Sequence, residues 1–183
     1  MISADGTHVG FESTSAITAG GTNTRADIYE VDLTTSPNPT YSRVSVSSAD
    51  VDANDTCDWP EVSTTGRYVV FESQASNLVS SDTNGVMDVF VRDTTSGTTE
   101  RVSVGTGGTQ ANAASVVDTD VGLNTISDDG RYVVFTTGAT NLPGGGTDGS
   151  SYVYLRDRTA ATPDPHAHQP VPSSRRRYRR TWS

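Results

Sequence analysis

Three times in 183 residues the chain repeats one phrase: Ser3-Ala-Asp-Gly-Thr-His-Val-Gly-Phe11, Ser63-Thr-Thr-Gly-Arg-Tyr-Val-Val-Phe71 and Ser127-Asp-Asp-Gly-Arg-Tyr-Val-Val-Phe135. Self-similarity at a long spacing is the signature of a repeat architecture, in which each unit buries an apolar face against its neighbour. The shared glycines Gly6, Gly66 and Gly130 stand 60 and 64 residues apart (66 − 6 and 130 − 66), room for four short strands and their loops. A content of 33% hydrophobic residues with 17 glycines suits such strands and turns. A repeat scaffold names no chemistry, because function resides in the sites a fold carries.

The middle unit can be read strand by strand. Trp59 to Ser63 leads in, Thr64-Thr65-Gly66 turns, and Arg67-Tyr-Val-Val-Phe-Glu-Ser73 follows, rich in aromatic and β-branched residues. Tyr68 to Phe71 is apolar at every position, which predicts a strand packed on both faces. Met87 to Asp93 alternates, placing Met87, Val89 and Val91 on one face, and Thr98 to Val104 completes a four-strand meander. The first unit echoes this with Ala26 to Asp32 and Ser42 to Val46, the third with Ser151 to Asp157.

These words resemble the TolB-type β-propeller repeat, a relative of the WD40 repeat: Ser-x-Asp-Gly, aromatic-Val-x-Phe, then Asp-Val-Phe or Asp-Ile-Tyr and a closing Asp. The resemblance covers residues 2 to 158. Two departures stand out: Thr64-Thr65 precedes Gly66 where Ala-Asp is usual, and Tyr152 replaces the acid found at Asp27 and Asp88. The resemblance implies an all-β fold, a partial propeller of about two and a half to three four-stranded antiparallel blades, over about 2–47, 59–104 and 123–158 within a repeat region 1–158. Propellers close with about four to eight blades, so this chain is too short to close. The resemblance also implies a periplasmic or extracellular bacterial protein, although the N-terminus lacks the basic start and apolar stretch of a signal peptide. No apolar run reaches the roughly 18 residues of a membrane span.

All 13 basic residues are arginines, and five of them fall in the last nine positions. Residues 1–158 therefore hold 8 arginines against 21 acids, a net charge of −13 (8 − 21). Phosphate backbones need a basic face, so nucleic acid is excluded as the expected partner and cations are favoured. Residues 159–183 leave the repeat language for a Pro-rich stretch and an arginine-rich end. Such a segment reads as a disordered tail, or as out-of-frame translation that interrupted a longer propeller gene.

Asp82-Thr-Asn-Gly-Val-Met-Asp88 is the sharpest candidate site. Asp82, Asn84 and Asp88 can offer carboxylate and amide oxygens to calcium, which takes about six to eight. The structural alternative makes Asn84-Gly85 a tight turn and has Asp88 holding loop N–H groups at a strand start. Asp50 to Glu61 has the oxygen spacing of an EF-hand loop, but Asp55 stands where that loop needs glycine. Gly144 to Gly149 spells G-x-G-x-x-G yet runs into a strand, not a helix, so it reads as a loop. His8, the one histidine before residue 159, aligns with Tyr68 and Tyr132 and reads as a strand position; His166 and His168 form an isolated His-x-His pair in the tail. Cys57 reads as a loop thiol. The expected function is a non-catalytic module binding a protein or glycan, with self-association through open blade edges. The alternative is the accessory propeller of a serine peptidase or oligosaccharide lyase whose catalytic part lies elsewhere.

Overall fold

A computed structural model describes residues 1–18, 24–117, 125–144, 150–160 and 169–170. The strands are β1 (His8–Ser13), β2 (Asp27–Asp32), β3 (Thr40–Arg43), β4 (Cys57–Val62), β5 (Tyr68–Ser73), β6 (Asp88–Asp93), β7 (Thr98–Arg101), β8 (Ser115–Val116), β9 (Tyr132–Thr137), β10 (Tyr152–Asp157) and β11 (Gln169–Pro170). They form three antiparallel sheets in the orders β1-β2-β3, β4-β5-β6-β7 and β8-β9-β10-β11. Two residues placed in the tail by sequence thus reappear as backbone partners, Gln169 and Pro170 pairing with Val153 and Tyr152. Thr159 is also placed, its N–H and hydroxyl donating to Asp157; residues 161–168, with His166 and His168, and 171–183 of the expected disordered tail lie outside the described residues, as do 145–149 of the glycine-rich loop.

Each letter of the repeated phrase has a local task. The serine hydroxyl accepts the N–H of the first residue of the following strand, His8 on Ser3 at 2.9 Å, Tyr68 on Ser63 at 3.1 Å and Tyr132 on Ser127 at 2.9 Å. The glycine N–H donates back to the same serine's carbonyl at 2.8 to 3.0 Å and closes the turn. These glycines sit at φ of +72°, +78° and +71°, a region that L side chains disfavour.

Packing follows the alternation of strand faces. On β5, Val69 and Phe71 join Ile28, Val44, Cys57 and Phe90 in a core between the first and second sheets. Tyr68 and Val70 join Val89, Val91, Val133 and Phe135 in a core between the second and third. The unbroken apolar run is therefore covered on both sides. β6 departs from the expected one-faced alternation: all six of its residues are buried, Phe90 in the core toward the first sheet, Arg92 on Ser47 and Asp50, and Asp88 on Asn84, Arg101 and Ser103 of its own blade. Cys57 is corrected from a loop thiol to the first residue of β4, fully buried against Ser73, with its thiol pushed up to about 12 by burial. Pairing of β4 with β5 shifts between Asp58 and Glu61, a bulge that leaves Trp59 outside, 54% exposed.

Candidate functional site

The loop before β6 brings Asp82, Asn84 and Asp88 together, as the sequence suggested, around a residue it did not single out. Arg101, on β7, places Nη1 2.8 Å from Asp82 and 3.2 Å from Asp88. Asp88 also accepts from the Asn84 amide at 2.7 Å and from the Ser103 hydroxyl at 2.5 Å. Gln110 completes the cluster: its Oε1 accepts the N–H groups of Thr83 and Asn84, and its Nε2 donates to the Ser81 carbonyl. Burial raises the Asp82 carboxyl above the ordinary range while Arg101 opposes that rise. The positive charge between the two carboxylates is thus a guanidinium. An ion seated there must displace it. Asp88 binds side chains here, not the loop N–H groups expected of it.

The signal that could have found Arg101 and Ser103 is the word Arg-Val-Ser-Val, present at 43–46 and 101–104. Its first copy works alike: Ser45 donates to Asp27 at 2.9 Å, and Arg43 pairs with Asp52 while lying over the Tyr29 ring. Tyr152 holds the corresponding position in the third sheet, where no acid stands.

The EF-hand spacing disperses onto separate partners. Asp50 pairs with Arg92 at 2.8 Å, Asp52 with Arg43 and Asp55 with Arg25, while Glu61 is buried within β4. Among the described residues no group of three or more His, Cys, Asp and Glu side chains is placed to hold a metal ion. Asn54 and Asn112 instead form matching clasps: the backbone N–H of each donates to Oδ1 of Asn77 or Asn141, and its side-chain amide donates to the hydroxyl and accepts the backbone N–H of Ser76 or Thr140. His8 opens β1 and faces Glu30 at 3.0 Å, with burial raising that carboxyl. Glu72 accepts the Val117 N–H at 3.0 Å across the joint between the second and third sheets, and burial lifts it to about 7.

A hollow of about 640 Å³ runs along β7, the last strand of the second sheet. Leu78, Val79 and Val104 supply its apolar wall, and Ser48, Ser80 and Glu100 its polar rim. Ser48 caps part of the strand by accepting the Thr99 N–H at 2.9 Å.

The sheets approach one another at their leading strands, β4 against β1 and β2, and β8 against β6. Three antiparallel meanders stacked face to face and drawn together at one edge are the blades of a propeller. The fold is a partial β-propeller. No known protein family and no curated protein matches the chain. Solved structures similar to it include the putative TolB of Agrobacterium tumefaciens, 18% identical with a TM-score of 0.49, over 86% of this chain and 44% of that one. TolB of Acinetobacter baumannii is 17% identical with a TM-score of 0.47, over 88% of this chain and 29% of that one. The chain thus spans less than half the length of either. Among the described residues no helix of this propeller is long and apolar enough to cross a membrane.

Proposed function

We propose that this propeller segment is a non-catalytic binding module whose partner is an extended segment of another protein, seated in the hollow along β7. The hollow itself carries the reading. It lies beside the last strand of a sheet, where an incoming chain can add main-chain hydrogen bonds, and its mixed wall offers pockets for side chains. The Asp82-Asn84-Asp88 cluster serves this reading as a brace, since Arg101 ties the loop to the strand that floors the hollow. The acidic body argues for protein over nucleic acid.

Selection of a displayed random-peptide library on the purified chain tests this. Enriched peptides should lose at least tenfold in affinity on Ser80→Arg, which thrusts a long cation into the hollow. Peptides that bind the variant equally well, or binding confined to oligosaccharides, would overturn the proposal.

A further inference from the structure

Inside the chain the sheets meet at two joints, the first sheet on the second and the second on the third, and both joints follow one pattern. In the first the His8 ring covers Gly66: a Cβ added there would stand 2.1 Å from the ring. In the second the Tyr68 ring covers Gly130, at 2.4 Å from such a Cβ. The strand register identifies the neighbour of each ring. His8, Tyr68 and Tyr132 stand opposite Asp32, Asp93 and Asp157, and two residues before these aspartates come Glu30, Val91 and Leu155. The second and third units thus set a tyrosine beside an aliphatic residue, where the first sets a histidine beside a glutamate. The exchange is a paired one, since His8 Nδ1 lies 3.0 Å from Glu30 Oε1.

The pair is enclosed between two blades. Glu30 is 5% exposed; Ile28, two residues earlier on the same face, belongs to the core shared with the second sheet, and Val62 of that sheet lies over Gly10, the residue opposite Glu30. A carboxylate so buried needs a counter-charge. Acids crowd this corner, for Asp5 and Asp32 of the first blade also face His8. The charged groups of the second blade are committed elsewhere: Arg67 to Asp93 and Arg92 to Asp50, each at 2.8 Å, while Asp58 faces Glu12 and Glu61 faces the N-terminal ammonium. Among these groups the imidazole is the cation set against Glu30. Burial raises the Glu30 carboxyl and His8 opposes that rise. A carboxyl raised by folding stabilises the fold most in acid and loses that contribution as the pH climbs. Loss of an imidazole proton, ordinarily near pH 6.5, acts in the same direction, because it strips the buried carboxylate of its counter-charge.

We propose that the His8–Glu30 pair makes the first joint a pH-responsive hinge, closed while the pair holds its proton and opening more often as that proton leaves. The second joint, with Tyr68 and Val91 in these positions, has no proton to lose there near neutral pH. The hinge is independent of what occupies the hollow along β7.

Cys57 reports on this joint directly. It is the chain's one cysteine and is fully buried in the core between the first two sheets. Its rate of labelling by a thiol reagent in the folded protein, divided by the rate in the urea-unfolded chain at the same pH, reads how often the joint opens, because the division removes the reagent's own dependence on pH. The full chain should carry Glu72→Gln, so that the acid at the second joint does not enter. The ratio should rise about tenfold between pH 5.5 and pH 8. His8→Tyr together with Glu30→Val, which gives the first joint the residues of the second, should hold the ratio within about twofold over that range. Glu30→Gln keeps the shape of the side chain and removes its charge, and it should flatten the ratio in the same way should the double variant fail to fold. A ratio that is flat or higher in acid before these changes, or a tenfold rise that survives them, would overturn the proposal.

Discussion

Gly66 and Gly130 do two things at once, closing a turn at positive φ and receiving the ring of the preceding blade. Alanine at either should cost about 1–2 kcal/mol for the backbone alone, plus the displacement of a packed ring. Gly6→Ala should cost only the backbone part, and denaturant unfolding of the three variants checks the order. The sequence marks all three as turn glycines through the recurring serine and the following strand. Their second task is not legible there, because the ring filling each socket comes from the preceding blade. Glu72 carries a pH signature from the same joint. Its carboxyl, ordinarily near 4.5, is held at about 7 by burial, so its stabilising effect is complete below pH 4.5 and is lost as the pH rises through 7. At 1.36 kcal/mol per unit, reduced for partial solvent access, the loss is about 1–2 kcal/mol. Glu72→Gln should narrow the melting-temperature gap between pH 5 and pH 8, whereas an unchanged gap would place the titration elsewhere.

At the scale of strands, the apolar run of β5 announced two packed faces and the structure supplies both, Phe71 stacking on Phe90 at 5.7 Å toward the first sheet. Phe71→Ala should cost about 3–5 kcal/mol in a denaturant titration, and Phe11→Ala, on the open face of the first sheet, clearly less. β6 was harder to read. Asp88 and Arg92 look like solvent-facing alternation, yet both are buried because each has a specific partner, Ser103 for one and Asp50 for the other. Partners thirteen or more residues away leave no periodic trace, which is also why Arg101 escaped notice beside Asp82, Asn84 and Asp88. Its position gives a sharp prediction on calcium. Millimolar calcium should not raise the melting temperature of wild type more than magnesium does. Arg101→Met, which removes the internal cation and leaves two carboxylates facing each other, should be destabilised and should gain a calcium-specific rise. A calcium-specific rise in wild type that Asp82→Ala abolishes would return the site to the metal.

For the molecule as a whole, the repeat spacing made the stack of blades legible, since a phrase that recurs whole demands one local structure three times. The joints between blades were not, because they depend on which residues of neighbouring units meet. The two cores share no residue, and the middle blade contributes to both. Stability should accordingly be graded along the stack, as expected of units that touch only their neighbours. Native-state hydrogen exchange on the purified chain measures this most directly. Amides of Tyr68–Ser73 and Asp88–Asp93 should exchange slowest, and those of His8–Ser13 and Tyr132–Thr137 markedly faster. Equal protection across all three copies of the phrase, or slowest exchange in an end blade, would contradict a stack held together by one joint used twice.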